Sequence, residues 1–130
     1  MAASSATLHE DPAKLSAETV DRHRALVSLM EELEAVDWYA QRVEAGTDEE
    51  LAAILAHNRD EEKEHFSMVL EWLRRHDAKL DAHLKTYLFK DVSVLEIEEA
   101  ATAGEAGGGG EGSLGIGSLR GTGGLDVAGS

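Results

Sequence analysis

The chain has 130 residues, 42% of them hydrophobic, and its 26 Asp and Glu against 12 Lys and Arg give a formal charge of −14. That length supports one small domain, and so acidic a surface repels nucleic acid and anionic membranes while attracting cations. With no cysteine, no apolar signal-like run in residues 1–15 and no stretch of 18 apolar residues, disulfides, iron–sulfur clusters and a membrane span are excluded, and a soluble cytoplasmic protein is expected.

Residues 1–15 read as a flexible N-terminal segment holding the only proline, Pro12. A long helix is expected from about Ser16 to Ala45, because Leu26, Leu29, Leu33, Val36, Ala40 and Val43 recur at steps of three and four. Gly46 follows, the one glycine before residue 104, and glycine commonly stands just past a helix end. Thr47-Asp48-Glu49-Glu50 then reads as a capping box with Thr47 at the cap and Glu50 three residues on.

The second helix is expected to reach about His76, with Leu51, Ile54, Leu55, Val69, Trp72 and Leu73 on one side. Each helix is then about 30 residues, or about 45 Å. The very short connection makes them antiparallel neighbours. From Ala78 to Glu99 the weaker pattern of Leu80, Leu84, Tyr87, Leu88 and Phe89 points to one short third helix. The helical domain is therefore placed at residues 16–99. Residues 100–130, rich in glycine, read as a disordered tail. An isolated hairpin exposes much of its apolar surface, so pairing of two chains into a four-helix bundle is the economical expectation.

Two carboxylates and one imidazole stand out on this frame. Glu62 and His65 form a Glu-x-x-His string, of which about one is expected here by chance, so only position can give it weight. At about 100° per residue both point the same way as Leu51, Leu55, Val69 and Trp72, inside the apolar stripe, and Asn58 shares that face. Glu32 lies 14 residues before Gly46 and Glu62 lies 16 after it, which makes them level across the hairpin. Burying unpaired carboxylates is costly, and Arg59 and Lys63 project elsewhere. The group is either a buried polar pair that fixes register or a metal ligand set. With Glu32 level, the metal is favoured, and two glutamates and a histidine, doubled by symmetry, suit two irons.

Glu31, Glu34 and Trp38 lie on the other side of the first helix, as a solvated acidic face or as a second, weaker cation site. His9, His23, His57, His76 and His83 have no carboxylate at ligand spacing and read as structural or solvent-facing. In the tail, Leu114, Ile116 and Leu119, followed by Arg120, form an apolar island in a glycine-rich tether, the form of a docking peptide.

The stretches EELEAVDWY (31–39), ILAHNRDEEKEH (54–65), TYLF (86–89) and GSLGIGSLRG (112–121) together resemble the encapsulated ferritins, ferritin-like cargo of prokaryotic encapsulin nanocompartments. The resemblance implies an all-α, ferritin-like fold and a ferroxidase that oxidises Fe(II) to Fe(III) with dioxygen. Its di-iron ligands would be Glu32, Glu62 and His65 from each of two chains, with Glu62 bridging and Tyr39 beside them. Glu31 and Glu34, near Trp38, match a secondary site for iron or calcium. The resemblance further implies a ring-shaped decamer built from dimers, an encapsulin shell as partner, a location inside that shell in the cytoplasm, and residues 112–121 as the targeting peptide. A metal-binding helical module without turnover is the alternative, and residues 122–130 carry no assigned role.

Overall fold

The computed structural model describes residues 6–108, and the chain divides into two compact units, Met1–His76 and Asp77–Ser130. Among the described residues all regular structure is helical. The docking stretch expected at 112–121 lies outside them.

In the first unit a single 3-10 turn, Pro12–Lys14, precedes α1, Ala17–Ala45. Ser16 caps α1: its hydroxyl oxygen accepts from the Thr19 amide at 3.1 Å, satisfying one of the orphan donors of the first turn. The helix stops at Gly46, whose amide donates to the Arg42 carbonyl at 2.9 Å. Gly46 has φ −74° and extended backbone, so left-handed freedom is not what it supplies. Its contribution is clearance, since a Cβ there would meet the Arg42 carbonyl oxygen at 3.0 Å.

Helix α2 spans Glu49–Arg75. Its cap is Asp48, not Thr47 as the capping-box reading has it. The Asp48 carboxylate accepts from the Leu51 amide at 2.8 Å, and a charged acceptor holds that donor more strongly than a hydroxyl. Glu49 and Glu50 in the first turn and Arg74 and Arg75 in the last complement the helix dipole. The two helices pack along their length, forming the expected antiparallel hairpin. Ala25 and Leu29 of α1 and Leu73 of α2 are buried.

Much of the remaining apolar stripe is not covered. Leu26, Met30 and Leu33 on α1, and Leu51, Ile54, Met68 and Trp72 on α2, stay exposed. The stripe on each helix is wider than one neighbouring helix can shield.

The second unit corrects the expectation of one short helix. Helix α3 is Ala78–Tyr87 and helix α4 is Val94–Gly108, so helix runs beyond Glu99 into residues assigned to the tail. Asp77 caps α3 by accepting from the Leu80 amide at 3.0 Å. Lys90 closes its far end, donating to the carbonyls of Lys85 at 2.7 Å and Thr86 at 2.8 Å. A cation on those last carbonyls is well placed for the helix dipole. Ile97 and Thr86 are buried among the described residues of this unit, and the Thr86 hydroxyl donates to the Ala82 carbonyl at 3.0 Å. Between the helices Phe89 takes φ 61°, a left-handed conformation that is costly for a bulky side chain.

Candidate metal centre

The hairpin brings together the three residues that the sequence singles out. One ligand atom each from Glu32, Glu62 and His65 lies within 4.8 Å of the others, and theirs is the only such group of three among the described residues. His65 Nδ1 stands 3.7 Å from Glu32 Oε2 and 3.5 Å from Glu62 Oε1. Helix α2 supplies Glu62 and His65 from adjacent turns of one face, and the turn at Gly46 sets Glu32 at their level on α1. The carboxylates are largely covered, their side chains 21% and 23% exposed, whereas the imidazole is 47% exposed. The group therefore opens outward through His65.

Its electrostatics suit a cation. A hydrogen bond with Glu62, followed by burial and the Glu62 charge, pushes the Glu32 carboxyl above its ordinary value, while His65 pulls the other way. Two carboxyls this close together call for positive charge between them. The nearest basic side chains of α2 do not supply it. Arg59 and Lys63 lie 3.0 Å and 3.3 Å from Asp60, and they hold the Asp60 carboxyl below its usual range, Arg59 first. A divalent ion would supply the positive charge. Two oxygen donors and one imidazole nitrogen suit iron, manganese or zinc, and leave coordination positions open.

The other candidates are placed differently. Tyr39 sits two turns along α1 from Glu32, with the Arg42 guanidinium 5.7 Å from its ring centroid, and is not part of the ligand group. Glu31 and Glu34 are exposed and join no third ligand in the single chain. Trp38 lines a shallow groove with Gln41 and Arg42. Nothing in this arrangement supports calcium. His57 is a correction: its Nε2 lies 3.1 Å from Glu61 Oε2, four residues on. The i, i+4 spacing of helix neighbours was the signal for that pair.

A helical hairpin with two carboxylates and a histidine on its open side is a candidate metal site of the ferritin-like kind, in which such donors project from packed helices. More particularly, the chain belongs to the EncFtn-like family, whose pattern matches residues 7–91. It is 63% identical over 130 residues to the encapsulated ferritin-like protein of Rhodospirillum rubrum, covering 93% of each chain. It is 41% identical over 54 residues, 42% of each chain, to the encapsulin nanocompartment cargo protein EncC of Myxococcus xanthus. Among solved structures, the crystal structure of protein ne0167 from Nitrosomonas europaea is 60% identical with a TM-score of 0.65, covering 66% of this chain and 94% of that one.

Proposed function

We propose that two copies of this chain form a ferroxidase centre that oxidises Fe(II) with dioxygen. The observation that carries the proposal is the convergence of Glu32, Glu62 and His65 within 4.8 Å, with no Lys or Arg neutralising them among the described residues. One copy offers three donors, too few to enclose two metal ions. A two-fold pairing supplies the same three residues again and completes a site between four helices. The exposed apolar residues beside it, Leu51, Ile54 and Trp72, are the surface such a pairing would cover.

Fe(II) is the substrate. Each of two ions loses one electron, and the two electrons reduce one dioxygen. Carboxylate-rich ligation favours the ferric product, because hard oxygen donors bind the smaller, more highly charged ion more strongly. Glu62 would be the ligand that the two ions share, and Tyr39 would act beside the centre. Glu31 and Glu34 attract incoming cations. The name of the M. xanthus relative supports an encapsulin shell as partner, reached through residues 112–121 and receiving the oxidised iron. A decameric ring inside that shell is the assembly that we propose.

A second reading has its own support: three donors in one chain can hold a single divalent ion without turnover. Oxygen uptake after anaerobic loading with Fe(II) separates the two. The wild type should consume oxygen rapidly, and Glu32→Ala, Glu62→Ala and His65→Ala should not. Tight iron binding with no oxygen uptake would leave only the buffering module.

A further inference from the structure

Asn58 stands one turn before Glu62 on the face that carries the metal centre. Seven residues separate it from His65, so the two point within about 20° of each other around α2. It is half-buried, and its carboxamide makes no hydrogen bond with any described residue. A partly covered amide with free donors is a cost unless something bonds to it. Two carboxylates lie within its reach at i+3 and i+4. His57 holds Glu61 at 3.1 Å, which leaves Glu62. On α1 an amide and a carboxylate four residues apart do bond, in the reverse order and with a longer amide, where Gln41 donates to Asp37 at 3.1 Å.

We propose that Asn58 is a positioning residue for the metal centre, donating its amide N–H to the Glu62 carboxylate when that carboxylate holds a metal ion. The proposal rests on the reading of Glu32, Glu62 and His65 as ligands. A Glu62 carboxylate that holds a metal ion with one oxygen keeps further lone pairs in need of a donor. An amide meets the need without adding a positive charge that would repel the ion. Groups that orient metal ligands in this way commonly matter by about 10- to 100-fold in affinity.

Co(II), which is stable in air and has a visible spectrum sensitive to its ligands, provides the test. The wild-type protein should bind Co(II) with a visible band that Glu62→Ala abolishes. Asn58→Ala should weaken Co(II) binding by about tenfold or more and shift the band. The metal-free melting temperature should not fall, because Asn58 has no partner there and alanine favours helix. Asn58→Gln, which keeps the donor, should recover part of the affinity. Unchanged affinity and spectrum in Asn58→Ala overturns the proposal while leaving the ligand set intact. A wild-type spectrum indifferent to Glu62→Ala overturns the ligand reading instead.

Discussion

Glu32 on α1 and Glu62 on α2 share a hydrogen bond across the hairpin, and that bond is the largest cause of the raised Glu32 pKa. A hydrogen bond between two carboxyls needs a proton on one of them, so the metal-free protein should lose stability at this point as pH rises.

The sign follows from linkage. Stability gained from a raised carboxyl is fully present below its unfolded value near 4.5 and is lost as pH rises through the higher folded value. Glu32→Gln removes this dependence and should melt above the wild type at neutral pH in chelator. Thermal melts from acid to neutral pH in EDTA check it; a lower-melting variant would contradict the account.

Glu71 behaves oppositely. Arg74 and then Arg75 hold its carboxyl down at about 2, through contacts of 2.7 Å and 2.6 Å. Its contribution is present above the unfolded value near 4.5 and lost as pH falls toward about 2. Carbon-detected NMR titration should show Glu71 protonating last among the glutamates, and Arg74→Ala should bring its midpoint back toward the others.

The capping assignment at α2 is open to a direct contrast. Asp48→Ala should cost about 1 kcal/mol, whereas Thr47→Ala should cost little. Chemical denaturation of the two variants decides between the residues, and equal losses would restore the capping-box reading.

Ile54 probes the uncovered face. It is 50% exposed in the single chain, so Ile54→Glu should leave helicity unchanged while abolishing self-association. Circular dichroism and light scattering read the two effects separately. An assembly of normal size would show that this face is not the contact.

At Phe89 the ring is fully exposed and φ is 61°. Phe89→Gly should stabilise the second unit by about 1 kcal/mol, the cost of left-handed backbone to a side chain. Hydrogen exchange on the α3 amides measures it, and slower exchange is expected.

The hairpin was legible in the sequence because its signals agree: one glycine between two apolar stripes, with no breaker inside either. The meeting of Glu32, Glu62 and His65 was legible because counting from Gly46 places Glu32 and Glu62 at one level. The cap was misplaced because Thr47 and Asp48 are both good cap residues, and only the backbone decides which one turns inward. The break between α3 and α4 was missed although Ser93 and Glu96 have the spacing of a capping box; the Ile97 amide donates to the Ser93 carbonyl at 3.0 Å, in the first turn of α4. Without a glycine or proline, that stop was silent. The exposure of Leu26 and Leu33 could not be read, since periodicity gives a direction and not what stands there.

The thinness of the first unit's core has a calorimetric consequence. Ala25, Leu29 and Leu73 are its buried apolar residues, so melting the lone chain uncovers little further oily surface. Heat capacity tracks that newly wetted area. The isolated hairpin should thus unfold with a small heat-capacity step and a flat stability curve, insensitive to cooling. Whatever covers Leu33, Ile54 and Trp72 would add the missing curvature.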